Sequence, residues 1–227
     1  MGLETTTYRL LKELDTEGKT CLCLGYPDLL VLPEEISGTY DELADAERIR
    51  QWHRWPHPVY DTSEVLTKEL GFKEIDYADI VQTRGPERIV DLNYPTDWGK
   101  EYDIIIDGGT AEHCFNIGQV FSNIVAAVRP NGGIVIHINP LNMLNHGFWN
   151  INPTAYHDFY KDNGFEMISA SGVGGPLDDR TVVSYNDAHL RRRFDFEQTV
   201  EITNIIALRC TGKKNSRIIW PMQSKYR

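Results

Sequence analysis

Two short apolar runs, at positions 104–107 and 134–139, are the strongest structural signal in this chain of 227 residues. Between them, apolar side chains recur at helical spacing, at Ile117, Val120, Phe121, Ile124, Val125 and Val128. Runs this apolar are typical of strands buried on both faces, and a helix between them is the crossover that joins parallel neighbours. The pattern therefore predicts a βαβ unit over positions 102–139.

The first of these runs ends in residues suited to ligand binding, namely Asp107, Gly108, Gly109, Glu112 and His113. Ligands of open parallel sheets bind beyond the carboxyl ends of the strands. We therefore expect the chemistry of this protein at this edge of the sheet.

The charge balance narrows the range of partners. The formal net charge is -10 and the isoelectric point is about 5.2. Because an acidic surface repels phosphate backbones and anionic lipids, nucleic-acid and membrane-surface binding are not expected. One basic run, Arg191 to Arg193, is open to two interpretations, a solvated loop or a clamp for an acidic substrate.

The chain shows no targeting or membrane signal. No run approaches the roughly 20 apolar residues of a transmembrane helix, and the start of the sequence lacks the apolar stretch of a signal peptide. Cys21 and Cys23 alternate along one apolar segment and are interpreted as small buried hydrophobes in a reducing compartment. A cytoplasmic protein is predicted.

Strand and helix patterns alternate along the whole sequence. Strands are predicted at 20–24, 72–76, 88–93, 104–107, 134–139, 165–170 and 199–210. Asp61 and Glu64 form a capping box for the helix that follows them, and Gly71 fits its C-terminal cap. We predict one domain over 1–227, with an irregular insertion at about 29–60 that is a candidate cover for the site.

The chain resembles the class I S-adenosylmethionine-dependent methyltransferases in three segments. These are Asp91-Leu92-Asn93, the sequence YDIIIDGGTAEH at 102–113, and Arg-Pro-Asn-Gly-Gly at 129–133. The DGGT-x-EH pattern and the segment at 145–148 resemble more narrowly a branch associated with surface-polysaccharide genes. The resemblance implies an α/β fold: a Rossmann-like, doubly wound, mostly parallel seven-stranded sheet with helices on both faces.

The resemblance also implies S-adenosyl-L-methionine as cofactor and assigns residues to it. Gly25, Tyr26 and Pro27 would face its methionine part. An acidic residue at the end of the second strand would hold the ribose hydroxyls, with Asp76 as first choice and Asp79 as second. The family usually has a GxGxG pattern in the first loop, whereas this chain retains only Gly25 and has a proline without an N–H donor.

The remaining cofactor contacts are assigned to two further loops. Asp91 and Leu92 would contact the adenine. Asp107, Gly108 and Gly109 would line the floor near the methyl group, where glycines allow the backbone to approach a ligand closely.

Methyl transfer to an oxygen requires a base near neutral pH, for which histidine is suited. His146, in an amide- and aromatic-rich segment after the fifth strand, is the first candidate, and His113 is the second. His137 lies within a strand and is interpreted as a core histidine. No metal site is predicted, because His53 and His57 lie in a proline-rich loop without identifiable partners.

The predicted activity is methyl transfer to a small polar acceptor, with a sugar or nucleotide-sugar hydroxyl as the favoured class. Trp52, Trp55, Phe148 and Trp149 form either the packing of the insertion or a sugar-stacking surface. The altered first loop leaves two alternatives open. One is a non-catalytic, methyltransferase-like binding or assembly module, and the other is a Rossmann-like enzyme that uses a different nucleotide.

Overall fold

The computed structural model describes residues 2–191 and 201–226. These residues form ten strands, namely β1 (Gly2–Glu4), β2 (Thr20–Leu24), β3 (Asp28–Leu30), β4 (Glu74–Asp79), β5 (Arg88–Ile89), β6 (Ile104–Asp107), β7 (Ile134–Pro140), β8 (Phe165–Gly174), β9 (Thr181–Ser184) and β10 (Ile202–Cys210). They also form six α-helices, namely α1 (Thr5–Glu13), α2 (Ala46–His53), α3 (Thr62–Leu70), α4 (Ile117–Ala127), α5 (Pro153–Asp162) and α6 (Asp187–Arg191). The side chains of the basic run Arg191 to Arg193 lie outside this description, so its two interpretations stay open.

Eight strands form the main sheet, in the order β5-β4-β2-β6-β7-β10-β8-β9. The pairs from β5 to β7 are parallel, whereas β10 runs antiparallel to both β7 and β8. The predicted mostly parallel α/β sheet is thus observed, but with eight strands rather than seven. The extra strand arises because β8 extends beyond its predicted end at position 170 to Gly174, and its last residues pair with β9.

Side chains of the central strands alternate between two hydrophobic cores. Leu22 and Leu24 pack on the face covered by α4 and α5, whereas Cys21 and Cys23 pack on the face covered by α1 and α3. This alternation is the period of two that strands impose. Helices therefore cover both faces, as the resemblance implies.

The sheet order reverses between β2 and β6. From β2 the chain moves outward through β4 to β5, and it then returns to β6 and continues to β7 on the other side. At such a reversal the loops that leave the two central strands diverge and open a crevice at their carboxyl ends. The fold thus places its natural ligand crevice after Leu24 and Asp107.

The insertion builds a small core of its own. Leu30, Ala46, Ile49, Trp55 and Val59 bury one another there. The sequence predicts a helix over positions 40–52 in this insertion, whereas helix α2 begins only at Ala46. The preceding chain stays extended because Leu43 donates its N–H to Val59 O (2.9 Å) and Glu42 bridges to Tyr60. Among the described residues, no helix is both long and apolar enough to cross a membrane.

Candidate active site

A cavity of about 540 Å³ occupies the crevice between β2 and β6. The loops after β2, β4, β5 and β6 surround it, and Arg48 of α2 contributes from the insertion. Of the predicted cofactor residues, those that line it are Gly25, Tyr26, Pro27, Asp91, Leu92, Gly108 and Gly109. A volume of this size is in the range of small-molecule sites.

The loop after β2 needs its glycine. Gly25 has a φ of +78°, and a Cβ there would lie 3.1 Å from Thr110 Oγ1. A side chain at this position would therefore be strained and would crowd the facing loop.

Tyr26 and Pro27 are held against helix α3. The Tyr26 ring stacks on Tyr77 at 4.1 Å and its hydroxyl donates to Asp61 (2.7 Å), while the Thr62 hydroxyl donates to Pro27 O (2.6 Å). Burial and the bond to Asp61 raise the pKa of Tyr26. Because its ring and hydroxyl are engaged by these partners, the loop is pinned in one conformation beside the cavity.

Asp79, rather than Asp76, lines the cavity. Strand β4 extends to Asp79, which brings that carboxylate to the strand end, with Oδ2 at 3.5 Å from the Cβ position of Gly25. Asp76 lies three residues earlier and accepts hydrogen bonds from Lys100 Nζ (2.8 Å) and Tyr102 Oη (2.7 Å). Burial raises the pKa of Asp76, but these two bonds outweigh it and hold the pKa below its usual range.

The loop after β5 turns at once. The Asp91 carboxylate accepts the N–H of Asn93 at 3.0 Å and its side-chain amide at 2.8 Å. This local turn ends the strand at Ile89, although the apolar pattern predicted a strand to position 93. Asp91 and Leu92 consequently face the cavity.

Asp107 lies beneath the floor of the cavity instead of on it. Its fully buried carboxylate accepts the N–H groups of Thr110 (2.9 Å) and Ala111 (3.1 Å) and pairs with His137 Nδ1 at 2.8 Å. Burial raises the pKa of Asp107, but these bonds outweigh it and lower the pKa. The residue fixes Gly108 and Gly109, which line the cavity, and His137 is the core histidine that its strand position predicted.

The two predicted catalytic histidines converge on one buried carboxylate. His146 Nε2 lies 3.7 Å and His113 Nε2 lies 3.9 Å from Glu112 Oε1, and the two rings are 5.2 Å apart. Glu112 is fully buried, whereas the histidine side chains are 36 % and 47 % exposed. His113 also lines the cavity, so this cluster lies at its rim.

Gly147 allows this convergence. A Cβ there would lie 2.8 Å from Glu112 O, so only glycine lets the loop approach so closely. The N–H of Phe148 donates to the same carbonyl at 2.8 Å. Both histidines were predicted as catalytic residues, whereas Glu112, directly beside His113, was predicted only as one of several residues suited to ligand binding.

The structure separates the predicted aromatic cluster. Trp55 is buried inside the insertion and Trp52 is exposed to solvent. Phe148 and Trp149 instead meet Phe115, with ring centroids 5.5 and 6.2 Å apart. An exposed aromatic patch therefore adjoins the histidine cluster.

Arg84 is a cavity residue that sequence reasoning missed. Its guanidinium bridges Asp28 and Asp45, at 2.8 Å from each, and so joins the first loop to the insertion. Burial lowers the pKa of Arg84, but the bonds to these carboxylates outweigh it and raise the pKa. The only signal in the sequence is the turn Arg84-Gly85-Pro86, which predicts a bend and no charge pairing.

Glu87 shapes the loop that presents Arg84. Its carboxylate accepts the N–H groups of Thr83 (2.9 Å), Arg84 (2.7 Å) and Gly85 (2.7 Å). Burial raises the pKa of Glu87, but these bonds and the Thr83 hydroxyl outweigh it and lower the pKa to about 2.

Comparison with known proteins gives distant structural likenesses. No family model matches the chain, and no curated protein matches it. The 1,6-didemethyltoxoflavin-N1-methyltransferase of Burkholderia thailandensis, solved with 1,6-didemethyltoxoflavin and S-adenosylhomocysteine, has 14 % identity and a TM-score of 0.49. That match covers 89 % of this chain and 76 % of the other.

Two further structures are similar at the same level. TrmN from Thermus thermophilus has 12 % identity and a TM-score of 0.43, over 92 % of this chain and 49 % of that one. A putative S-adenosylmethionine-dependent methyltransferase from Listeria monocytogenes has 8 % identity and a TM-score of 0.41, over 89 % of this chain and 96 % of that one. At these values, function has to be argued from the residues of this chain.

Proposed function

We propose that this protein is an S-adenosylmethionine-dependent methyltransferase acting on a small polar acceptor. The observation that carries the proposal is the convergence of four loops on one cavity at the reversal of the sheet order. Seven of the residues that the sequence resemblance implies for the cofactor border this cavity.

The charges around the cavity suit a zwitterionic nucleoside. Asp79 and Asp91 stand at the ends of β4 and β5, and carboxylates at such positions hold ribose hydroxyls. Arg48 and Arg84 line the side of the insertion, where they are paired with Asp28 and Asp45. In this proposal Asp79 binds the ribose, Leu92 contacts the adenine, and the arginine side receives the methionine carboxylate.

The acceptor binds beside the histidine cluster. The glycine floor leads from the cavity to His113, and His146 stands behind it. Methyl transfer is an in-line displacement, so the protein's main tasks are to align the two reactants and to activate the acceptor oxygen. We assign that activation to His146, with His113 as the second residue.

We favour a sugar or nucleotide-sugar hydroxyl as the acceptor. The support is the exposed patch of Phe115, Phe148 and Trp149 beside His146, because flat apolar rings pack well against pyranose faces. In this proposal the insertion at about 29–60 covers the cofactor from the Arg48 side, within a single domain. We further propose a cytoplasmic site of action, in line with four free cysteines.

The altered first loop supports a second candidate, a non-catalytic binding module. Pro27 lacks an N–H, so this loop offers fewer backbone donors than a glycine-rich one. Such a module would keep the cavity but bind the cofactor weakly or not at all.

Calorimetric titration with S-adenosylhomocysteine distinguishes these candidates. We expect micromolar binding by the wild-type protein. Asp79→Asn should weaken it at least tenfold because a charged acceptor for the ribose hydroxyls is lost. Asp76→Asn, on the same strand but bonded to Lys100 and Tyr102, should stay within about twofold of the wild type.

Each other result has a definite meaning. If Asp76→Asn abolished binding and Asp79→Asn did not, the ribose hydroxyls would be assigned to Asp76, the first choice from the sequence. No detectable binding by the wild type would contradict the methyltransferase proposal and favour the non-catalytic module. A parallel titration with NAD tests the alternative of a different nucleotide.

A further inference from the structure

We propose that Glu112, His113 and His146 form a binding site for a divalent transition-metal ion at the rim of the cavity. The first observation is an unpartnered carboxylate oxygen. Glu112 is fully buried, and its Oε2 accepts the Asn139 amide at 2.8 Å. Its Oε1 faces the histidines and has no hydrogen-bond partner among the described residues.

A buried carboxylate oxygen without a hydrogen-bond donor is strongly disfavoured, because its hydrogen bonds to water are lost on burial and no protein donor replaces them. Neither histidine supplies that donor, since Nε2–Oε1 distances of 3.7 and 3.9 Å exceed a hydrogen bond. An ion between the three groups would satisfy the oxygen.

The spacing of the three groups fits such an ion. One ligand atom from each residue lies within 4.8 Å of the others. Around a tetrahedral zinc ion with bonds of about 2.1 Å, ligand atoms stand roughly 3.4 Å apart. The carboxylate-to-imidazole distances exceed this by a few tenths of an ångström. The half-exposed rings of His113 and His146 are free to close that gap by small rotations.

The Glu112 carboxylate is oriented by hydrogen bonds from residues outside the proposed site, as metal ligands usually are. Asn139, which donates to Glu112 Oε2, accepts the Tyr156 hydroxyl at 2.6 Å. The Glu112 carbonyl accepts the N–H of Phe148 (2.8 Å), which ties the loop of His146 to the same residue. The site is therefore set by the core on one side and by the loop on the other.

The donor set selects a class of ion. Two imidazoles and one carboxylate suit Zn²⁺, Co²⁺, Mn²⁺ or Fe²⁺, whereas Mg²⁺ and Ca²⁺ prefer oxygen ligands alone. Three protein ligands leave at least one coordination position open, as in catalytic zinc sites. Because His113 lines the cavity, that open position faces the space beside the glycine floor.

This role for the ion rests on the proposed methyltransferase function. An acceptor hydroxyl bound to the ion has a lowered pKa and loses its proton to water. The oxygen lone pair then forms the bond to the methyl carbon. The carbon–sulfur bond breaks with its electron pair remaining on sulfur, which yields S-adenosylhomocysteine. The histidines thus activate the acceptor as ligands of the ion rather than as free bases.

Titration of the chelator-treated full chain with Co²⁺, followed by visible absorption, tests the site. We expect one ion per chain, micromolar affinity, and the spectrum of a site with nitrogen and oxygen ligands. Glu112→Gln keeps the side-chain shape but removes the charge, and His146→Ala removes one ligand. Each should weaken binding at least tenfold. His57→Ala is the matched control, because that ring packs on Trp55 in the insertion.

Thermal melts of each variant show whether it has folded. If Glu112→Gln is unstable, His146→Ala still tests the site, because His146 is partly exposed and its removal should not disturb the core. Equal Co²⁺ binding by wild type and His146→Ala, or no binding at millimolar Co²⁺, would overturn the site. S-adenosylhomocysteine titration of the same proteins separates the two proposals. If the protein binds S-adenosylhomocysteine but not Co²⁺, only the metal site is refuted. If it binds Co²⁺ but not S-adenosylhomocysteine, only the methyltransferase proposal is refuted.

Discussion

His137 is buried in the centre of the sheet, and both of its ring nitrogens are engaged. Nδ1 meets Asp107 at 2.8 Å and Nε2 meets the Tyr160 hydroxyl at 2.7 Å. Asp107 in turn accepts the Asn139 amide at 3.1 Å. Asp107 directly precedes Gly108, so the position of the cavity floor depends on hydrogen bonds made by residues that do not line the cavity.

Tyr160→Phe tests that dependence. The substitution leaves a buried ring nitrogen of His137 without its partner, which costs about 1–3 kcal/mol. Urea denaturation should show this loss in the free energy of unfolding. Tyr226→Phe, at a side chain that is 70 % exposed, should leave it unchanged. Equal stability of Tyr160→Phe and wild type would mean that the network contributes nothing measurable.

Residue roles were only partly predictable from the sequence. The strand position of His137 was sufficient to identify a core histidine. Asp76 was ranked ahead of Asp79, because the sequence does not show where β4 ends, which depends on its pairing with β2 and β5. The convergence of both histidines on Glu112 was not predicted, because it requires Gly147, 35 positions later, to come within reach of the Glu112 backbone.

The turn after β2 is the element on which the cofactor proposal depends most. Gly25→Ala should cost about 1 kcal/mol for its left-handed backbone, and S-adenosylhomocysteine binding should weaken at least tenfold. Gly18→Ala is the matched control. Gly18 has a similar φ of +68° but nothing within 4 Å of its Cβ position. It should show the same loss of stability with unchanged binding, and weakened binding in both variants would contradict a local role for Gly25.

Elements with local signals were predicted well. The Asp61 carboxylate accepts the N–H of Glu64 (2.8 Å), which confirms the N-cap, whereas the Glu64 carboxylate pairs with Lys68. Gly71 ends the helix in the left-handed conformation, which confirms the C-terminal cap. Helix α2 was predicted to begin too early, and strand β9 was not predicted. Their limits depend on distant partners, Val59 for the chain before α2 and β8 for β9, and these partners leave no trace in the local pattern.

The whole molecule should lose stability in acid. Burial opposes ionisation of Asp28, Asp107 and Glu87, but hydrogen bonds outweigh it and lower their pKa values in the folded state. These groups contribute stability above the unfolded pKa values of about 4 and lose it as the pH falls, for Glu87 down to about 2. Buried Glu4, whose pKa is raised mainly by burial, acts in the opposite direction.

Thermal melts between pH 7 and pH 2.5 measure this dependence. The melting temperature should be nearly constant down to about pH 5 and should then fall steadily. In Glu87→Gln the fall should be shallower, because one of the titrating groups has been removed. A melting temperature independent of pH would contradict the lowered pKa values.

At the level of the complete sheet, the parallel half followed from the alternation of strands and helices. The position of β10 did not, since an antiparallel strand inserted between β7 and β8 has no local signature in the sequence. The cavity was foreseeable because it belongs to the parallel half. The clustering of Glu112 with His113 and His146 was not, because it depends on the close approach of the two loops that Gly147 allows.

The central position of β10 also has a consequence for how the chain is made. On a ribosome, β7 and β8 emerge before residues 202–210, and until then each exposes an edge of unpaired backbone hydrogen-bonding groups. A nascent or truncated chain that ends before β10 therefore has two unpaired, aggregation-prone strand edges in place of a continuous sheet. Such fragments should depend on chaperones for their solubility. The sheet is complete only after β10, which ends at Cys210, has been synthesised.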